Sequence, residues 1–113
     1  MSLAPLSDEW VVALVTATAD RTPIDGLDGV VTLAIGKTTR VTIEIVAGQV
    51  TGQTDREGDV EVPFTKPQLG AWSEGDLVPS VAYMKGDLKP VGATGPFLAL
   101  LAVMDDPTVA ATV

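Results

Sequence analysis

The succession of hydrophobic patterns in this 113-residue chain predicts an α+β fold. A helical period opens it, a two-residue period governs residues 29–64, and short capped helical stretches then lead to an apolar run near the C-terminus. The length suits a single domain over residues 1–113 with one core. That core is expected over residues 7–104, with residues 105–113 as a frayed tail.

Ser7 is the first start signal. Its hydroxyl suits an N-cap, Asp8 and Glu9 stand at the positive end of the helix dipole, and Leu6 is placed to pack on Val11. Trp10, Ala13, Leu14 and Ala17 recur at helical spacing and are expected to form the buried stripe. The helix should end before Thr22-Pro23, because a residue preceding proline is driven out of the helical region. Val31, Leu33 and Ile35 then alternate with Thr32 and Ala34, and Val41, Ile43 and Ile45 alternate with Thr42 and Glu44. After the Ala47-Gly48 turn a third strand begins at Val50, and after a polar loop a fourth carries Val60, Val62 and Phe64. Four β-branched runs joined by turn residues predict an antiparallel meander with one wet and one dry face.

Thr65 and Gln68 have the spacing of a capping box, and Gly75 stops the short helix they start. A second short helix is expected over residues 80–85, closed by Gly86. Residues 87–91 predict a brief strand, which Pro90 confines to an edge. Pro96 suits the first turn of a last helix whose residues 97–104 are all apolar. A surface helix would carry a polar stripe opposite its buried one. This one must be covered on nearly all sides, by the domain's own core, by a ligand or by a second chain. Asp105-Asp106-Pro107 reads as its stop signal.

Composition excludes several function classes. The hydrophobic fraction of 46% and charged fraction of 19% are those of a globular protein, while the net charge of −8 opposes the phosphate contacts on which duplex nucleic acid binding depends. The same charge opposes electrostatic docking on anionic membranes. The chain has no Cys, His or Asn, so it holds no disulfide, thiol nucleophile, Ser-His-Asp triad or N-glycosylation acceptor. The acidic loop at residues 55–59 lacks the alternating ligands of a calcium-binding EF-hand and reads as a hairpin turn. Glu44, the one carboxylate with regular-structure support as a catalyst, falls on the wet face. The expectation is a non-enzymatic protein without metal or cofactor. The opening MSLAPLSDEW has neither the basic nor the apolar region of a signal peptide, and no run approaches the roughly 20 apolar residues of a membrane span. The expected location is the cytoplasm.

The C-terminal half carries a family resemblance. Asp59-Val60 opens a strand leading into the Thr65 cap, and Gly75-Asp76-Leu77 precedes a proline-serine step. Val81-Ala82-Tyr83-Met84, Gly86, Leu88, Gly92 and a closing apolar helix follow in order. These residues resemble the SCP2 sterol-binding domain (sterol carrier protein 2-like), and the Ser7-Asp8-Glu9-Trp10 helix and the 41–50 hairpin fit its small stand-alone form. The likeness spans residues 7–104, with departures at Asp87, Pro90 and Ala93-Thr94. It implies a sandwich of a mainly antiparallel five-stranded sheet with helices over one face: an N-terminal helix, two short ones and the apolar C-terminal one. It also implies an apolar tunnel between the layers that takes sterols, fatty acids or acyl-CoA.

Taken singly, the aromatic and apolar residues of the two short helices read as core anchors or as pocket lining. As a set, Phe64, Leu69, Trp72, Tyr83, Met84, Phe97, Leu98 and Leu101 are expected to form a ligand wall. Tyr83 would offer a hydroxyl to a headgroup, and Met84 an adaptable surface. The expected function is therefore binding or transfer of an apolar small molecule. The alternative is a ligand-free interaction module, either a homodimer through the last helix or an accessory partner of a lipid-metabolising enzyme. The resemblance supports that alternative too, since the fold also occurs in the C-terminal parts of some alkylsulfatases.

Overall fold

In the computed structural model, which describes residues 4–113, Ser7 caps the first helix as its sequence requires. The first three residues of the opening MSLAPLSDEW lie outside the described residues. The Ser7 hydroxyl accepts the Trp10 N–H at 3.2 Å, and α1 runs Asp8–Ala19. Its buried residues are Trp10, Val11, Leu14 and Thr18, with Ala13 and Ala17 half-buried at the margin of the stripe. Thr18 escapes an apolar count, yet it is wholly buried because its hydroxyl is used twice. It donates to the Leu14 carbonyl at 3.0 Å and accepts the Val50 N–H at 2.9 Å.

Five strands follow: β1 (Gly29–Ile35), β2 (Thr39–Val46), β3 (Gln49–Gln53), β4 (Val60–Phe64) and β5 (Val91–Gly92), in the sheet order β3-β2-β1-β4-β5. The first three form the antiparallel meander that the alternation predicts. The fourth departs from it. β4 crosses over to lie parallel to β1, with Val31 opposite Val60, Leu33 opposite Val62 and Ile35 opposite Phe64. Three hydrogen bonds favour the crossover. The Val50 N–H of β3 is already taken by Thr18. Asp59, just before β4, grips β1 at Val30: its N–H donates to the Val30 carbonyl at 2.7 Å, and its carboxylate accepts the Val30 N–H at 3.2 Å.

This placement makes β1 central and buries both of its faces, correcting the expected wet face there. Val30, Thr32 and Ala34 are buried along with Val31 and Leu33. On the outer face the Thr32 and Thr42 hydroxyls pair at 2.9 Å, and an Arg40–Glu61 ion pair joins β2 to β4 across β1. β2 keeps the alternation, with Val41, Ile43 and Ile45 buried and Arg40 exposed.

The remaining helices are α2 (Lys66–Ser73), α3 (Pro79–Met84), α4 (Thr94–Met104) and α5 (Pro107–Thr112). The capping box forms as expected, with Thr65 and Gln68 exchanging bonds at 3.2 and 2.8 Å. α4 is buried at Phe97, Ala99, Leu100, Leu101, Val103 and Met104, and rests on β1, β2 and β4. It seats closely because Gly29 has no side chain; a Cβ there would enter the Pro96 ring. The indole N–H of Trp72 donates to the Met104 carbonyl at 2.7 Å, tying α2 to the end of α4. The Trp72 ring lies 5.8 Å from that of Trp10, tilted by 56°.

Residues 105–113, expected to fray, instead form α5 and pack against α1, α2 and α4. Val109, Ala110 and Val113 are buried in the common core. Asp106, read as part of a stop, is also a start: its side chain accepts the Thr108 N–H at 2.9 Å, and Pro107 takes the first helical position that suits it. The strand expected over residues 87–91 shrinks to Val91–Gly92, beyond Pro90, which has no N–H to give a ladder.

Thr18→Val keeps the volume but leaves the Val50 N–H buried and unpaired. Urea unfolding should show a loss of about 1–3 kcal/mol with an unchanged slope.

Candidate functional site

α3 is a short helix held in place by its neighbours. Its Ser80 N–H donates to the Asp105 carboxylate at 3.0 Å, which fixes its start against the end of α4. At its other end Gly86 (φ +84°) reverses the chain, with the Asp87 N–H donating to the Ala82 carbonyl at 2.8 Å. The Gln68 amide then reaches the Asp87 carbonyl at 3.2 Å, so the capping box of α2 also holds the turn that follows α3.

Between the end of α3 and the start of α4 lies a solvent-open cleft of about 540 Å³, within the range typical of small-molecule sites. Tyr83 and Met84 line one side, Phe97 the other, and the segment from Gly86 through Leu88, Lys89, Pro90, Gly92, Ala93 and Thr94 forms the floor and rim. Phe97 and Leu88 are buried in the core and also face this cleft, so the two meet there. The Tyr83 ring stands edge-on to Phe97, with centroids 4.9 Å apart. Tyr83 and Lys89 are the only titratable side chains on the lining.

The eight residues expected as a wall fall into three groups. Tyr83, Met84 and Phe97 line the cleft. Phe64, Leu69, Trp72 and Leu101 lie in the same buried core as Phe97 and do not line the cleft. Leu98 is 51% exposed and points to solvent. Among the seven lining residues outside that set, Gly86, Leu88 and Gly92 belong to the pattern that carries the resemblance. Pro90, Ala93 and Thr94 are among its departures from the pattern. Their signal in the sequence is the clustering of Gly and Pro between residues 86 and 96, which bends the backbone around a gap. Gly92 is the tightest of these, at φ +130°, where a Cβ would meet the Asp59 carbonyl at 2.5 Å.

Glu44, the carboxylate weighed as a catalyst, lies on the outer face in an ion pair with Arg56 at 3.0 Å. Among the described residues, no group of three or more His, Cys, Asp or Glu side chains could hold a metal ion. Among the described residues, no helix is long and apolar enough to cross a membrane.

No protein-family model and no curated protein matches the sequence. Solved structures do match the fold. A crystal structure of sterol carrier protein 2 superposes with a TM-score of 0.67 at 18% identity, covering 94% of this chain and 95% of that one. The palmitated SCP2L2 of Aedes aegypti gives 0.64 at 18% identity, covering 87% of this chain and 94% of that one. The inverting sec-alkylsulfatase Pisa1 of Pseudomonas gives 0.64 at 20% identity over 92% of this chain, but only 17% of the alkylsulfatase is covered. The chain has the SCP2-like fold: α+β, with a mixed, mostly antiparallel five-stranded sheet.

Gly92→Ala should cost about 1–3 kcal/mol, through backbone strain and the clash with Asp59. Hydrogen exchange at Ala93, whose N–H donates to the Asp59 carbonyl at 2.9 Å, should accelerate more than exchange in β1 and β2.

Proposed function

We propose that this SCP2-like domain is a non-enzymatic binder of apolar small molecules: sterols, fatty acids or acyl-CoA. The observation that carries the reading is the cleft that meets the core at Phe97 and Leu88. A ligand chain would enter beside Met84, displace the edge-on contact of Tyr83 with Phe97, and extend toward Leu101, Trp72, Leu69 and Phe64. That route turns an open cleft into the mouth of an internal tunnel. The driving force is removal of apolar ligand surface from water, roughly 25 cal/mol per Å². The Tyr83 hydroxyl and the Lys89 ammonium stay at the rim, where they would meet a polar or anionic headgroup.

Two further points support the reading. The lining is mostly apolar or backbone, with Tyr83 and Lys89 its titratable side chains, the composition of a binding pocket. The structural neighbours include a sterol carrier protein and a palmitated one, which supports the choice of ligand class.

Titration with a fluorescent fatty acid should give saturable binding, displaced by a sterol or an unlabelled acyl chain. Thr94 is exposed on the rim, so Thr94→Trp should fill the cleft and weaken binding about tenfold or more, while the unfolding midpoint stays put. Absence of saturable binding by the parent protein, together with no lipid released on denaturing extraction, would sink the carrier reading.

A further inference from the structure

Sulfur is confined to methionine in this chain, which has three methionines and no cysteine. The two methionines among the described residues stand at opposite extremes. Met104 is 1% exposed at the end of α4, where its carbonyl accepts the Trp72 indole N–H. Met84 ends α3 and is 83% exposed, the most open large apolar side chain among the described residues. It also lines the cleft, beside Tyr83 and across from Phe97. An exposed sulfur is open to attack by peroxides, and a buried one is shielded from them.

Oxidation reverses the character of that wall. A thioether is apolar and a weak acceptor, whereas a sulfoxide is polar and presents a strong acceptor oxygen. Donors for such an oxygen stand on the same lining: the Tyr83 hydroxyl and the Lys89 ammonium. Lys89 is in no ion pair among the described residues, whereas Arg21, Arg40 and Arg56 each have a carboxylate partner. No carboxylate on the lining competes for either donor. The three rotatable bonds of methionine let its terminus swing across the mouth.

We propose that Met84 is a redox-sensitive gate on the cleft, which a peroxide oxidises and thereby closes to apolar ligands. The sulfur attacks one peroxide oxygen, so that an S–O bond forms as the O–O bond breaks. Sulfur gives up two electrons, the transferred hydroxyl passes its proton to the departing hydroxide, and the peroxide leaves as water. The sulfoxide oxygen then accepts from Lys89 or Tyr83, occupying the groups that would otherwise meet a ligand headgroup. Met104 stays reduced in the core, so the change is confined to the mouth and the fold survives it. The effect on affinity rests on the carrier reading. The selective oxidation and the new contact with Lys89 or Tyr83 do not.

The test treats the protein with dilute hydrogen peroxide and follows peptide masses, titration by the fluorescent fatty acid, and side-chain NMR shifts. Met84 should reach the sulfoxide while Met104 remains unoxidised and the unfolding midpoint stays put. Probe affinity should fall about fivefold, as apolar contact at the mouth is lost. Methionine sulfoxide reductase should restore it. Met84→Leu retains Met1 and Met104, so peroxide should not change that variant's affinity, whatever its starting value. The gate is ruled out if Met104 oxidises alongside Met84, or if the protein with Met84 fully oxidised binds the probe as before. It is equally ruled out if peroxide weakens binding by Met84→Leu to the same extent. If the untreated parent never binds the probe, the carrier reading fails and the NMR shifts decide. Movement of the Tyr83 ring or the Lys89 side chain on oxidation then supports the gate, and shifts confined to Met84 overturn it.

Discussion

Asp59 sets the order of the sheet. Its N–H and carboxylate close a reciprocal pair on Val30 of β1, and its carbonyl accepts the N–H of Ala93 just beyond β5. One residue at the start of β4 thus joins three strands. Hydrophobic burial alone would accept β4 on either side of the meander, because its alternating Val60, Val62 and Phe64 suit any strand with a dry face. The directional bonds decide. Once β4 lies beside β1, the α4 helix rests over β1, β4 and β2 together.

The same division between filling and placing recurs among the helices. Leu, Val and Phe side chains fill the interior without preferring an arrangement, and a few polar bonds then choose one. Thr18 fastens α1 to β3, the Trp72 indole fastens α2 to α4, and Asp105 fixes the start of α3. α3 has only Pro79 and Ala82 buried, so its position depends on such ties more than on packing. A helix of that kind sits at the low-stability end of a fold, where ligand-gating elements are drawn from.

What the sequence disclosed, and what it concealed, follows from the range of each signal. Caps and turns are local, so Ser7, the Thr65–Gln68 box, Gly75 and Gly86 could be read directly. Alternation identified the inward residues of β2, but it carries no information about which strand lies alongside, and the parallel β1–β4 pairing stayed hidden. Thr18 stays hidden because an apolar count skips a hydroxyl whose partner lies 32 residues away. The Asp106-Pro107 pair both ends one helix and begins another, and only the end is marked by the apolar run before it. Within the site, apolar character marked Tyr83, Met84 and Phe97. Six residues, however, are too few for a helical period to tell lumen from solvent, and the floor at residues 86–94 is shaped by backbone turns that side-chain character does not announce.

The tilted contact of Trp10 and Trp72 has a spectroscopic consequence. These are the chain's two tryptophans, both almost wholly buried, and they sit together in the core. Its one tyrosine, Tyr83, stands apart at the cleft. The ultraviolet chromophores are thus sorted by place: indole emission and the near-ultraviolet dichroism of the coupled pair monitor the junction of α1 with α2, while the phenol signal monitors the mouth. A perturbation confined to the surface and one reaching the interior would carry different optical signatures in the unlabelled protein.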